Sequence, residues 1–285
     1  MRPTRLAFLL EALERQTLDR ARYEVVVERD HAERPAGPAV LRNRGVGVAQ
    51  APLLAFTDDD CRPAPDWLER LVERAAHADG DFILQGRTEP DPDERQRLYG
   101  LARSQSIVGP SPWFEACNIL YPRELFERLG GFDERFDGGG EDADLGLRAV
   151  AAGARPVYVD EARVWHAVHS RHVWQAVREE GRWHTIPLVL ASHPRQREAL
   201  ELGIFWKAGH PRVLLAAAGL VAAARGRGVG LAATLPYMHQ HVRSYSKTPR
   251  GMLRAALDAP ARALVDLAGV AVTVRSAIRH RAAII

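Results

Sequence analysis

A short apolar run that ends in three adjacent aspartates, LLAFTDDDCRPAP at residues 53–65, most constrains how this chain can fold. The apolar residues at its start predict a strand in the interior of a covered sheet, and the two prolines at its end prevent the strand from continuing. Asp58, Asp59 and Asp60 then lie on a loop at the carboxyl end of the strand, where open α/β sheets bind ligands. Because adjacent carboxylates repel one another, this loop suits either a divalent cation or a solvated acidic turn.

The composition is that of a globular protein, with 46% hydrophobic and 26% charged residues in a chain of 285. The small net charge of +3 hides a strong asymmetry along the chain. Residues 1–185 carry 25 basic and 32 acidic side chains, a net charge of −7, whereas residues 186–285 carry 14 and 4, a net charge of +10. This asymmetry predicts two regions with different surroundings, residues 1–185 and residues 186–285.

The chain contains two cysteines, Cys61 and Cys117, whose spacing indicates neither a metal site nor a disulfide framework. A reducing cytoplasm is the simplest interpretation. The first residues, MRPTRLAFLLEALERQ, have the period of an amphipathic helix, so we expect no signal peptide.

Helical and strand patterns alternate through the first half of the chain. Apolar residues recur at helical spacing over residues 5–17, and Tyr23 to Val27 have the pattern of a strand. The elements predicted next are a helix over 38–50, the strand from 53, a helix over 65–75 and a strand over 82–85. This alternation predicts an α/β fold with a mostly parallel sheet sandwiched by helices. Residues 86–113 lose this periodicity and are typical of a functional loop.

A second segment rich in acidic residues reads GGGEDADLGLRAVAAG. The glycine run, residues 138–140, precedes Glu141 and Asp142 and lets the backbone approach another group closely. A helix is predicted over residues 142–152, with acidic residues in its first turn. After a further strand at 156–159 comes the histidine-rich sequence WHAVHSRH. Among these histidines only His166, nearest the strand end, is placed for a site.

The first 185 residues resemble the family 2 glycosyltransferases of the nucleotide-sugar transferase (GT-A) fold. The motifs that carry the resemblance occur in the family's order and at about its spacing. They are RNRGVGVAQAPLLAFTDDDCRPAPDWL, GRTEP, ACNILYPRELFERLGGFDE and GEDADLGLRAVAAG. Several motifs in the right order are more specific than any one of them.

The resemblance implies a metal and a donor substrate. Asp58 and Asp60 match the family's DxD element, which holds a divalent cation, Mg²⁺ or Mn²⁺, on the diphosphate of a nucleotide-diphosphosugar. His166 is expected to add a contact to the metal or the phosphate. The donor-binding residues that the resemblance implies are Asp30, Arg42, Asp58 and Asp59.

The resemblance also implies the chemistry of transfer. Asp142, beside Glu141, matches the general base that removes a proton from the acceptor hydroxyl. One base without an evident covalent nucleophile predicts a single displacement with inversion at the sugar. The acceptor is expected to be a lipid-linked or cell-envelope glycan. The residues expected on the acceptor side are Trp113, Phe114 and Asn118.

The start of the chain departs from the family pattern. Family members begin with a hydrophobic strand, whereas this sequence opens at a helix, and the acidic pair after the second strand is reduced to Asp30. We therefore expect the first strand to be missing. An alternative interpretation is a non-catalytic, glycosyltransferase-like scaffold at a membrane. A third, a metal-dependent phosphatase or nucleotidyltransferase, would not need the glycine-rich loop before Glu141.

Residues 186–285 combine apolar runs with arginines. The run from 213 to 224 is too short to span a bilayer, which takes about 20 residues. Apolar helices flanked by arginine predict peripheral attachment to the inner face of the cell membrane. An ordinary helical subdomain and a short re-entrant hairpin are the alternatives. Nucleic acid is not expected as a partner, because the basic residues alternate with aliphatic runs rather than with stacking aromatics.

Overall fold

The computed structural model describes residues 3–29, 36–243, 245 and 247–285. Contacts divide the chain into two compact units. The first unit comprises residues 1–95 and 104–168, and the second unit comprises residues 96–103 and 169–285. This division falls earlier in the chain than the boundary predicted after residue 185.

The first unit contains a five-stranded sheet in the order β1-β4-β3-β5-β2. The strands are β1 (Leu53–Thr57), β2 (Cys61–Pro63), β3 (Phe82–Pro90), β4 (Asn118–Pro122) and β5 (Arg155–His166). Of the described strand pairs, only β3 and β5 run parallel, and the other three pairs are antiparallel. The prediction of a mostly parallel sheet is therefore wrong. The long loop after β3 returns the chain in the opposite direction, which a parallel crossover helix would not do.

Helices cover both faces of the sheet, as predicted. The helices of this unit are α1 (Pro3–Glu14), α2 (Pro38–Val48), α3 (Trp67–Ala76), α4 (Arg123–Arg128) and α5 (Glu141–Ala151). One core cluster includes Leu9 of α1 and Leu71 of α3. The other includes Ala39 of α2, Phe126 of α4 and Leu145 of α5. Burial of apolar side chains on both sheet faces supplies most of the driving force for this unit to fold.

Tyr23 to Val27, predicted as a strand, form no strand in the structure. This segment is irregular, and the valines in it are more than a third exposed. It is fastened instead by Glu24, which accepts hydrogen bonds from the backbone N–H groups of Gln50 and Ala51 at 2.5 and 2.8 Å. A strand needs a partner, and apolar sequence alone does not supply one.

The strand before the three aspartates, β1, is confirmed, but it lies at one edge of the described sheet. Leu54 is buried, whereas its neighbour Ala55 is exposed, so the strand is not buried on both faces as predicted. The backbone N–H of Cys61 donates to the carbonyl of Asp58 at 3.1 Å, which closes a tight turn. The aspartates therefore lie in a tight turn between β1 and β2.

The second unit is built of helices. They are α6 (Val173–Glu180), α7 (Ile186–Ser192), α8 (Gly209–Ala224), α9 (Leu235–Val242) and α10 (Pro249–His280). The apolar run over 213–224 lies in α8, and a second apolar run, over residues 261–274, lies in α10. Among the described residues, every helix is too short or too polar to cross a bilayer.

Candidate active site

Arg42 on α2 joins two acidic residues from distant parts of the first unit. Its Nη1 donates to Glu141 Oε1 at 2.6 Å, and its Nη2 donates to Asp58 Oδ1 at 2.9 Å. Burial alone would lower the pKa of Arg42, but the neighbouring carboxylates, led by Asp58 and Glu141, raise it above its ordinary value. The structure thus brings together three predicted site residues, Arg42, Asp58 and Glu141.

The glycine run before α5 sets the position of Glu141 and Asp142. Gly140 has a left-handed φ of 97°, so the chain turns sharply and α5 begins at Glu141. The Glu141 side chain is only 5% exposed, and its Oε2 is buried without a hydrogen-bond partner in the described part of the chain. Asp142 accepts hydrogen bonds from the backbone N–H groups of Ala143 at 2.8 Å and Ala116 at 3.2 Å. The Asp142 carboxylate is therefore held in a fixed orientation.

Asp142 has the properties of a carboxylate base. Burial raises its pKa well above the ordinary value, and the negative charge of Glu141 raises it further, while Arg42 partly opposes both effects. A carboxylate with a raised pKa holds a proton more strongly, so it accepts one from a hydroxyl group more readily. Asp142 remains partly exposed, so a ligand can reach it.

Asp60 and His166 form the part of the site that fits a metal ion. Antiparallel pairing of β2 with β5 places Cys61 opposite His166, and His166 Nε2 lies 3.5 Å from Asp60 Oδ1. The Nδ1 of His166 lies 3.0 Å from the carbonyl oxygen of Ala167. A neutral ring that donates this hydrogen bond turns the Nε2 lone pair toward the carboxylate. An imidazole oriented in this way beside a carboxylate is a common pair of metal ligands.

Cys61 completes a group in which one ligand atom from each of Asp60, Cys61 and His166 lies within 4.8 Å of the others. Burial raises the pKa of the Cys61 thiol well above its ordinary value, so its sulfur keeps the proton. A buried thiol is a poor ligand for a hard cation such as Mg²⁺ or Mn²⁺, which prefers oxygen. Asp60 and His166 therefore fit such a cation better than Cys61 does.

The three adjacent aspartates have different surroundings in the structure. Asp58 pairs with Arg42 and is not a member of the group around His166. Asp59 is partly buried, and burial followed by repulsion from Asp60 and Asp58 raises its pKa. Metal binding by Asp58, and donor binding by Asp58 and Asp59, stay predictions. Asp30 lies outside the described residues.

The three predicted acceptor-side residues differ in exposure. Trp113 is partly exposed, whereas Phe114 is buried against α5 with a left-handed φ of 51°. Asn118 has no exposed surface. Its Nδ2 donates to the carbonyls of Arg87 and Ala162, both at 2.9 Å, and its Oδ1 accepts from Trp67 Nε1 at 2.8 Å. Phe114 and Asn118 are thus packing residues in this structure, and only Trp113 can form part of an exposed wall.

Two contributors to the site were missed from the sequence. One is Cys61, which adjoins the Asp60–His166 pair. The other is the backbone N–H of Ala116, which holds Asp142. Both depend on the packing of segments that are far apart in the chain, for which the sequence contains no local signal.

Comparisons with known proteins identify the family of this part of the chain. The profile described as Glycosyl transferase family 2 matches residues 15–132, and that described as Glycosyltransferase like family 2 matches residues 114–185. Residues 15–185 belong to glycosyltransferase family 2. This family 2 segment includes every described residue of the candidate site, from Arg42 to His166.

Curated relatives of the family 2 segment include three bacterial proteins. Validoxylamine A glucosyltransferase from Streptomyces hygroscopicus is 29% identical over 187 residues, which cover 54% of this chain and 44% of that protein. The O-antigen biosynthesis protein RfbC from Myxococcus xanthus is 46% identical over 174 residues, or 53% of this chain and 14% of that protein. N-acetylglucosaminyl-diphospho-decaprenol L-rhamnosyltransferase from Mycobacterium tuberculosis is 43% identical over 124 residues, which cover 44% of this chain and 38% of that protein. The chain spans less than half the length of each of these relatives.

A solved structure shares the fold of the chain. It is a mannosyltransferase from Pyrobaculum calidifontis in complex with GDP-Man and Mn²⁺, with a TM-score of 0.55 and 19% sequence identity. The similarity covers 98% of this chain and 83% of that one. It shows an α/β fold of the GT-A type, in agreement with the fold predicted from the motifs.

Proposed function

We propose that this protein transfers a sugar from a nucleotide-diphosphosugar to an acceptor hydroxyl, with inversion at the sugar. The observation that carries the proposal is the position of Asp142, a fixed carboxylate with a raised pKa beside the Arg42–Glu141 ion pair. A sugar hydroxyl is a weak nucleophile at neutral pH, so a positioned base assists its attack on the anomeric carbon. Membership of residues 15–185 in glycosyltransferase family 2 supports this reading.

A divalent cation, Mg²⁺ or Mn²⁺, is the cofactor we propose. Asp60 and His166 would hold it, with Asp58 as a further ligand. When bound, the cation neutralises negative charge on the diphosphate leaving group. The Asp60–His166 geometry supports this assignment, as does the presence of Mn²⁺ with GDP-Man in the mannosyltransferase of similar fold.

The residues of the chain itself supply orientation and proton transfer. Asp142 takes the proton from the acceptor hydroxyl, and the backbone N–H groups of Ala116 and Ala143 keep its carboxylate in place. Arg42 holds Asp58 and Glu141 in fixed positions, which keeps the charges around Asp142 constant. Preorganised charge of this kind acts without reorganisation during the reaction.

The acceptor we propose is a lipid-linked or cell-envelope glycan, met at the inner face of the cell membrane. Two relatives support this choice by their names, an O-antigen biosynthesis protein and a transferase of a decaprenol-linked sugar. The second unit also exposes large apolar side chains. Leu253, Leu257 and Ile278 of α10 are 62%, 71% and 76% exposed. Peripheral attachment to an anionic membrane would cover such side chains.

A second candidate function is a non-catalytic scaffold. The observation that favours it is the absence of a strand at Tyr23 to Val27, since the described sheet ends at β1 on that side. A scaffold would bind no nucleotide sugar, so donor binding separates the two functions.

The deciding experiment is calorimetric titration of UDP-sugars and GDP-mannose into the chain in the presence of Mn²⁺. Asp60→Ala tests the proposed metal ligand, and Asp79→Ala, an exposed acidic residue of the same unit, is the control. Metal-dependent binding that is lost only in Asp60→Ala supports the transferase. Absence of binding by a folded wild-type chain would favour the scaffold.

A further inference from the structure

The second unit encloses a cavity of about 200 Å³ that is rich in positive charge. We call it the cationic cavity. Its basic lining residues are Arg103, Arg171, Arg182, Lys207 and Arg262. Two glutamates, Glu179 and Glu180, also line it, so the lining carries a surplus of positive charge.

Three of these basic side chains form ion pairs in the cavity wall. Arg171 pairs with Glu179 at 3.0 Å, Lys207 pairs with Glu180, and Arg262 pairs with buried Asp266 at 3.2 Å. Five basic side chains therefore face three carboxylates. Arginine suits phosphate because its planar guanidinium donates two parallel hydrogen bonds. A phosphate or diphosphate matches both the sign of the surplus and the donors available.

Trp183 adds an aromatic surface to the same wall. The guanidinium of Arg182 lies 4.4 Å from the centre of its ring, and the Lys207 ammonium lies 5.7 Å away. These contacts hold the two cations near the cavity.

A second and larger cavity of the same unit is an open groove of about 630 Å³, whose lining combines apolar side chains with polar ones such as Thr248 and Asp258. We call it the apolar groove. Leu98, Tyr99, Leu253 and Leu257 supply apolar lining, and Arg250 and Arg254 are basic lining residues. Because Leu253 and Leu257 are 62% and 71% exposed, filling the groove with hydrocarbon would remove a large apolar area from water.

The cationic cavity and the apolar groove share two walls. One wall is the segment 96–103, where Tyr99 lines the groove and Arg103 lines the cavity. The other wall is α10, where Leu257 lines the groove and Arg262 lines the cavity, about 7.5 Å further along the helix axis. On both walls the residues that line the groove come first along the chain, and those that line the cationic cavity come second.

Direct contacts fasten these walls together. The guanidinium of Arg254 lies 4.3 Å from the centre of the Tyr99 ring, and Arg171 Nε donates to the carbonyl of Leu101 at 2.8 Å. Segment 96–103 is therefore in direct contact with residues that line each of the two cavities.

We infer that the second unit binds an amphiphile in which a diphosphate is joined to a hydrocarbon chain, with the diphosphate in the cationic cavity and the chain in the apolar groove. The inference rests on the proposed function, because such a molecule is the lipid carrier of a lipid-linked acceptor. It deepens that function by assigning the carrier to residues of segment 96–103, α6, α10 and the segment between α6 and α8.

Farnesyl diphosphate, a short isoprenoid chain on a diphosphate, is the probe. Its binding to the full chain is measured by calorimetry without nucleotide sugar. Inorganic diphosphate and farnesol are titrated separately for comparison. Arg182→Ala changes the cationic cavity, and Leu257→Gln changes the apolar groove. Arg279→Ala and Leu264→Gln are matched controls, since both residues are exposed on α10 and line neither cavity. Thermal melting checks that every variant is folded.

Arg182→Ala is expected to weaken farnesyl diphosphate and inorganic diphosphate alike, by about 10-fold, or about 1.4 kcal/mol. Leu257→Gln is expected to weaken farnesyl diphosphate by about 10-fold and to leave inorganic diphosphate unchanged. The two controls should bind like wild type. Equal affinity for farnesyl diphosphate and inorganic diphosphate, or insensitivity to both variants, would overturn the inference.

Two further experiments test whether a nucleotide or a membrane lipid, rather than an isoprenoid diphosphate, is the ligand. Displacement of farnesyl diphosphate by excess GDP would assign the cavity to a nucleotide and overturn the inference. A second result would also overturn the inference. In it, the chain binds phosphatidylglycerol vesicles through Leu257 but does not bind farnesyl diphosphate. Absence of sugar transfer would refute the proposed function but leave this binding result valid. Conversely, transfer to a soluble acceptor without farnesyl diphosphate binding would refute only the inference.

Discussion

Arg42 and Glu141 shift the pKa of Asp142 in opposite directions. Glu141 raises the pKa of Asp142 by repulsion, whereas Arg42 lowers it by attraction, and the two side chains are themselves paired at 2.6 Å. The proton affinity of Asp142 therefore depends on residues that lie far apart in the sequence. Two predictions at the scale of single residues follow from this arrangement.

Replacement of Asp142 by Asn should remove the base and leave the donor site intact. We expect kcat to fall by about 10²- to 10⁴-fold, the usual contribution of general base catalysis. Donor affinity, measured by calorimetry, should stay close to the wild-type value. Asp79→Asn, an exposed acidic residue of the same unit, should have normal kcat. A normal kcat in Asp142→Asn would exclude Asp142 as the base.

The pH dependence of transfer should respond to the two neighbours of Asp142 with opposite signs. Asp142 must be ionised to accept a proton, so kcat rises as the pH rises through its pKa. Glu141→Gln removes the repulsion that raises this pKa and should move the acid limb of the profile to lower pH. Arg42→Gln removes the attraction that lowers it and should move the limb to higher pH. Shifts in the same direction would show that another group titrates in this limb.

At the scale of helices and strands, much of the first unit could be predicted from the sequence. The periodicity of residues 5–17 and 38–50 predicted α1 and α2, and the glycine run predicted the start of α5. These are local signals, because one helix face or one turn is specified by neighbouring residues. The aspartates after β1 were placed correctly for the same reason.

The features that could not be predicted depend on pairing across the sheet. β4 runs antiparallel to β1 and β3, and nothing in its own sequence shows its direction. Asn118 was expected on the acceptor side of the site, yet the structure buries it completely against Trp67. Tyr23 to Val27 have a strand-like sequence but no strand partner in the described structure. Partner choice is a property of the assembled sheet rather than of one strand.

The packing of Phe114 on α5 gives a prediction about stability. A Cβ atom added at Gly146 would lie 2.2 Å from the Phe114 ring, whereas one added at Gly47 of α2 would meet no atom within 4 Å. Gly146→Ala should therefore lower the free energy of unfolding by about 1–3 kcal/mol, the usual cost of overpacking. Gly47→Ala should leave it unchanged or raise it by up to about 1 kcal/mol, since alanine favours helix.

Urea denaturation of the two alanine variants, followed by circular dichroism, measures both effects. The pair is informative because the same substitution is made in a helix each time, so helix propensity alone predicts stabilisation at both sites. Equal stability of the two variants would mean that Phe114 does not occupy the surface of α5 as the structure shows.

At the scale of the whole molecule, the charge of the chain is divided between its two parts. Residues 1–185 carry a net charge of −7 and residues 186–285 a net charge of +10. The basic part also contains exposed apolar side chains, among them Val229 at 85% and Ile278 at 76%. Positive charge together with exposed apolar side chains suits contact with an anionic bilayer more than with neutral lipid.

We therefore expect the chain to cosediment with phosphatidylglycerol vesicles and much less with phosphatidylcholine vesicles. Each Lys or Arg near an anionic surface contributes about 1 kcal/mol, and salt screens this attraction because the Debye length falls to about 3 Å at 1 M ionic strength. Raising the salt concentration should release most of the bound protein. Equal binding to both lipids, with no effect of salt, would mean that charge does not direct the attachment. In that case the exposed apolar side chains, rather than the positive charge, would direct the attachment.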